Sequence, residues 1–127
     1  MNFSPVKLRA ACVLGFTGVA LGAFGAHALK DHWKETLDAV EAAYRLDIWE
    51  TGVFYHLVHA VVLLVLAFGC PEKHQGKLAS YSFVIGVNIF SGSLYMLAIT
   101  GLKWMGAIVP IGGMLLLAGW VLTALRK

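Results

Sequence analysis

Four stretches of this chain contain no Asp, Glu, Lys or Arg: Ala10–Leu29, Gly52–Cys70, Ala79–Leu102 and Trp104–Leu125. Each is long enough to cross the roughly 30 Å of bilayer hydrocarbon, which takes about 20 apolar residues in a helix. No water is available there, so each backbone N–H and C=O must be satisfied internally and the runs predict helices. The expected fold is all-α: an integral membrane bundle of four transmembrane helices in a single membrane domain, 1–127. The spans are set at about 10–29, 52–70, 79–102 and 104–125. The composition agrees, with 59% hydrophobic and 13% charged residues against about a quarter charged in soluble domains. That excludes a disordered chain and speaks against a soluble domain.

The N-terminal Lys7 and Arg9, the apolar stretch and the small residues at Ala23–Ala26 have the outline of a secretory signal. The stretch is nevertheless long enough for a full span and carries glycines at helical spacing, so a retained first helix is expected. Cys12 and Cys70 show neither CxxC nor zinc spacing and read as small buried hydrophobes, with a disulfide between them the lesser alternative.

The connections carry the polar residues. Pro71–Leu78 and the turn at Gly101–Lys103 are short, so their flanking helices are antiparallel neighbours. The first connection, 30–51, holds six of the seven acids: Asp31, Glu35, Asp38, Glu41, Asp47 and Glu50. Trp33, Leu37, Val40 and Tyr44 recur at steps of four, three and four, a helical stripe, with Asp31 placed to cap its start. This predicts one amphipathic helix lying in the membrane interface; a solvated helical hairpin arm is the competing reading.

Lys7, Arg9, Lys73, Lys77, Arg126 and Lys127 fall on one side of such a bundle, and Lys30, Lys34, Arg45 and Lys103 on the other. This bias favours both termini in the cytoplasm. Trp49 and Trp104 are then expected at the outer interface, and Tyr81 and Trp120 near the inner one. There is no basic run and no aromatic ladder between basic residues, so nucleic acid is not an expected partner. The bilayer is, along with a homo-oligomer or a larger membrane complex.

Gly15, Gly18, Gly22 and Gly25 fall within about 80° of one helical face. Small residues let helices approach closely in lipid, either between subunits or inside the bundle. Pro110, Gly112 and Gly113 cluster in one turn of the fourth run, where proline predicts a kink.

Polar groups inside a membrane are costly and mark function or packing. His27, His56 and His59 are the leading candidates, His56 and His59 sharing a face at i, i+3 with Tyr55 beside them. Asn88, Ser91 and Tyr95 share a face of the third helix, and by depth His27 and His56 are expected in one outer layer. Imidazoles can ligate a metal or haem iron or move protons. They also lock helices by hydrogen bonds, and a small-molecule or lipid pocket is the third reading. No cofactor is called beyond the option of metal or haem at this layer. No span holds a carboxylate, Lys or Arg, which excludes a voltage sensor and disfavours a carboxylate proton relay. Zincin, phosphate-loop and nucleophile-elbow motifs are absent, and no catalytic residue is assigned.

The segments LGAFGAHAL (Leu21–Leu29), Tyr55-His56 with His59-Ala60, FSGSLY (Phe90–Tyr95), and PIGG (Pro110–Gly113) followed by Gly119-Trp120 occur in order, one set per helix. The chain thereby resembles the domain-of-unknown-function 423 family of small bacterial inner-membrane proteins over nearly its whole length. The motif positions are Gly22, Gly25, His27, Tyr55, His59, Ser91, Gly92, Ser93, Tyr95, Pro110, Gly112 and Gly113. Val109 stands where the family usually has Thr before Pro110. The resemblance implies a multi-pass protein of the bacterial cytoplasmic membrane and carries over no activity or cofactor. The leading functional expectation is a non-enzymatic assembly or accessory subunit. Its alternatives are a small-ligand binding or transport module using the polar layer, and a metal- or haem-binding redox protein.

Overall fold

The computed structural model describes residues 3–69 and 74–125. They form four helices long and apolar enough to span a membrane and, among the described residues, no strand. Helix α1 runs Pro5–Thr36, α2 Ala39–Gly69, α3 His74–Thr100 and α4 Val109–Ala124, the last preceded by a 3₁₀ turn that extends the fourth span to Lys103–Ala124. Pro5 sits in the first turn of α1, where its missing N–H has no intrahelical partner to lose.

The 30–51 segment differs from the interfacial helix expected for it. Helix α1 continues to Thr36, Leu37 is extended (φ −123°, ψ 159°), and α2 starts at once. The cap is Asp38, whose Oδ1 accepts the N–H groups of Val40 and Glu41, both at 3.0 Å, and not Asp31. The expected stripe is split by this break. Trp33 is buried at 4% exposure on α1, whereas Val40 is 81% exposed on α2. The segment is the arm of a helical hairpin, because 31 residues of α2 at about 1.5 Å each outrun the hydrocarbon thickness.

The other end of the arm is clamped. Arg45 Nε donates to Glu41 Oε1 at 2.8 Å, and its Nη1 donates to the carbonyls of Ala98 (3.3 Å) and Ile99 (3.1 Å). A cation thus caps the C-terminus of α3, where unsatisfied carbonyls and the helix dipole favour it. Gly101 ends that helix at φ +70°, and a Cβ there would lie 2.5 Å from the guanidinium.

Each helix packs mainly on its sequence neighbours, with α2 and α3 inside and α1 and α4 at the flanks. Ser4 N–H bonds to Ala67 O at 2.9 Å and sets the start of α1 against the end of α2. One buried cluster draws on all four helices through Leu14, Leu63, Phe83, Val87 and Leu116. The second, Leu29, Trp33, Ala42, Trp49 and Ala98, ties the hairpin arm to the end of α3. Outward faces carry Phe16, Val61, Ile85 and Leu117, as a lipid-solvated protein requires.

Two further expectations are corrected. Pro110 is not in the interior of an α-helix: within the fourth span, Lys103–Ala124, it lies in the first turn of α4, after a 3₁₀ turn at Lys103–Ala107. Cys12 is exposed on the outer face of α1 rather than buried, and Cys70 lies outside the described residues. Of the second connection, residues from His74 onward already belong to α3; Pro71, Glu72 and Lys73 lie outside the described residues.

Candidate functional site

The mid-bundle polar residues form two separate hydrogen-bonded groups. The first joins α1, α2 and α3. Thr17 Oγ1 donates to Val13 O at 2.8 Å, which leaves its lone pair to accept from His56 Nε2 at 3.2 Å. His56 Nδ1 then accepts the Tyr95 hydroxyl at 3.0 Å. This assignment satisfies every donor and runs in one direction, from Tyr95 through His56 and Thr17 to a backbone carbonyl. Tyr95 is held on its other side by Trp49, ring centroids 4.6 Å apart. Beside it the buried Ser91 Oγ donates to Gly52 O at 2.7 Å, pinning α3 to α2.

The second group joins α2 and α4. His59 Nδ1 lies 2.8 Å from Tyr55 O, and a carbonyl only accepts, so that nitrogen carries the proton. Nε2 is left as acceptor for Trp120 Nε1–H at 3.3 Å. The ring is packed among Tyr55, Phe83 and Trp120. Trp120, 48% exposed on α4, thus ties that helix to His59 and Phe83.

These groups revise the expected three-histidine layer. His56 and His59 share a face of α2 by spacing, yet their rings reach opposite neighbours. His27 is exposed in a π turn, Gly25–Leu29. The α1 residues that face His56 are Thr17 and Gly18, where a Cβ would lie 3.4 Å from the imidazole, and nine residues of helix separate Gly18 from His27 by roughly 13 Å. Among the described residues no group of three or more His, Cys, Asp or Glu is placed to hold a metal. His56 and His59 have both ring nitrogens engaged. The donor set therefore does not fit a shared metal or haem iron.

The π turn has a local cause. Trp49 Nε1–H reaches across to Leu21 O at 2.9 Å, and its indole lies against Gly25, so closely that a Cβ there would overlap the ring. A side chain engaging a helix carbonyl is one origin of such bulges. Gly18 and Gly22 face Leu57 and Val53 of α2, and Gly112 lies against the backbone of Phe90. A Cβ at Gly113 would meet only the Phe90 ring, at 3.7 Å, and one at Gly15 nothing within 4 Å.

Where α1 and α3 diverge over α2, a groove of about 520 Å³ opens. Val13, Leu14 and Val87 line it, together with Thr17, His56, Asn88, Ser91, Gly92 and Tyr95. It is an apolar trough with a few convergent polar groups, the usual make-up of a ligand site. Asn88 is exposed there, its amide nitrogen donating to Val84 O at 2.8 Å. Thr17 was not anticipated, although it is the single hydroxyl residue in the first apolar run; that was the available signal.

Four helices long and apolar enough to cross a membrane define a multi-pass integral membrane protein. The chain belongs to the family described as protein of unknown function (DUF423), whose sequence model matches residues 21–113. It is 38% identical over 108 residues to the UPF0382 membrane protein YwdK of Bacillus subtilis, covering 82% of this chain and 80% of that one. It is 38% identical over 121 residues to the UPF0382 inner membrane protein YgdD of Escherichia coli K12, covering 94% and 86%. It is 34% identical over 118 residues to the UPF0382 membrane protein SH2409 of Staphylococcus haemolyticus, covering 92% and 88%. No solved structure matches the chain.

Proposed function

We propose that this is a non-enzymatic multi-pass protein of the bacterial cytoplasmic membrane that holds a small amphiphile in the groove between α1 and α3. The observation that carries the reading is the groove itself, about 520 Å³ of mostly apolar space passing the Thr17–His56–Tyr95 group. The histidines already have partners, so the polar groups orient a ligand rather than attack it. The lysine and arginine bias supports both termini in the cytoplasm.

Native mass spectrometry of protein released gently from its own membrane tests this. The expected result is one chain with a reproducible added mass of lipid size. Asn88→Trp or Gly92→Leu fills the groove and removes that mass without loss of helix content. A bare chain in every preparation refutes the reading. A second reading, an accessory subunit of a larger assembly, is favoured by Gly92. It lines the groove, and a Cβ there would meet nothing within 4 Å, which leaves room for a partner helix. That reading predicts a second protein chain in the particle instead.

A further inference from the structure

The direction of the hydrogen bonds along the α1–α3 groove says what a ligand there must offer. Tyr95 gives its hydroxyl proton to His56 Nδ1, and His56 Nε2–H gives its own to Thr17 Oγ1. Thr17 in turn donates to Val13 O, and Ser91 to Gly52 O. Each of these side chains has spent its donor inside the protein. What Tyr95 and Thr17 keep toward the groove is oxygen lone pairs.

Asn88 adds to the same surplus. It stands twelve residues from either end of the span Gly76–Thr100 and is exposed. Its amide nitrogen donates to Val84 O at 2.8 Å, and among the described residues its Oδ1 accepts no bond. An unpaired amide at that depth is costly in hydrocarbon. The groove therefore holds acceptors on three residues, Asn88, Tyr95 and Thr17, against one remaining donor, the second amide hydrogen of Asn88. A hydroxyl group matches this set, because it donates a proton and also accepts one. A ketone, an ester or an ether only accepts, and leaves the lone pairs unpaired.

The head must also be uncharged. Arg9 is the one charged residue among those lining the groove, and eight residues of helix, about 12 Å, separate it from Thr17. Nothing beside Asn88 offsets the desolvation of an ionised or zwitterionic head. The rest of the wall is aliphatic: Ala10, Val13, Leu14, Val84 and Val87. The ring of Tyr95 is already packed against Trp49, centroids 4.6 Å apart, and beside His56, so no free aromatic face is left for a flat ring. From Arg9 to Leu21 the groove follows α1 for about 18 Å, room for an extended chain.

We infer that the groove selects an uncharged lipid with an aliphatic hydroxyl group, held at Asn88 with its chain along α1. This rests on the reading of the groove as an amphiphile site and assigns its ligand class. The test reconstitutes the full chain in phosphatidylcholine bilayers with equal amounts of 1-hexadecanol and its methyl ether, and counts retained probes by native mass spectrometry. The expected result is the alcohol retained about fivefold over the ether, the worth of one hydrogen bond. Asn88→Leu, at an exposed position, abolishes the preference while both probes still bind; Gly92→Leu removes both. Equal retention, or preference for the ether, overturns this inference and leaves the groove reading standing. So does an unchanged preference in Asn88→Leu. Palmitate retained over hexadecanol would show that the groove takes an anion, and a long-chain quinol retained over it would show that it takes an aromatic head; either overturns the assignment. Retention of no probe and no native lipid overturns both readings.

Discussion

Two adjacent glycines of α4 make opposite predictions. A Cβ at Gly112 would lie 2.7 Å from Phe90 Cα and 2.8 Å from its Cβ, and closer still to the Phe90 backbone nitrogen. Carbon atoms rest at about 3.5–4.0 Å, so α3 and α4 must part by roughly 1 Å to admit one methyl group. The obstacle is backbone and cannot rotate away. A gap of that size forfeits roughly a quarter to a half of each dispersion contact across the seam, including Gly86 on Leu116 and Gly119 on Phe83. Overpacking of this kind reaches about 3 kcal/mol. Alanine's better helix propensity returns at most about 1 kcal/mol, so Gly112→Ala destabilises by about 2 kcal/mol. At Gly113 the new methyl meets the Phe90 ring at an ordinary 3.7 Å, so Gly113→Ala is neutral or stabilising by up to about 1 kcal/mol. Reversible unfolding in mixed micelles with rising denaturing detergent, followed by tryptophan fluorescence, measures both. Equal effects of the two substitutions would refute the packing assignment.

Tyr95→Phe removes the hydroxyl that reaches His56 and lowers stability by about 1 kcal/mol; an unchanged unfolding midpoint would show the bond to be absent. Arg45→Ala removes the cap on the Ala98 and Ile99 carbonyls and costs about 1 kcal/mol, less in high salt. Hydrogen exchange should report it as faster opening at the end of α3, and protection unchanged there would argue against the clamp. Trp49→Phe keeps most of the ring but loses the donor to Leu21 O, so amides of the π turn exchange faster; no change at 25–30 would mean that the indole does not hold that turn.

The four spans were readable because uninterrupted apolar runs admit one solution in lipid. The hairpin arm was not, because a stripe of regular spacing is equally consistent with one helix and with two helices broken at Leu37. Depth counting misplaced His27. It started the runs level, whereas Ser4 pairs with Ala67 and brings Gly18 opposite His56. Spacing put His56 and His59 on one face of α2, but only packing decides that one ring turns to Thr17 and Tyr95 and the other to Trp120. Pro110 marked a helix start that periodicity could not distinguish from a mid-span kink, because the apolar run begins earlier, at Trp104.

The account turns on what occupies the groove in the native membrane. Position 88, exposed on α3 and lining the groove, can be replaced by a photoreactive diazirine side chain and illuminated in intact membranes. The account predicts a covalent adduct of lipid mass on this chain, greatly reduced by Gly92→Leu. A crosslink to another protein chain, with no lipid adduct, would contradict it.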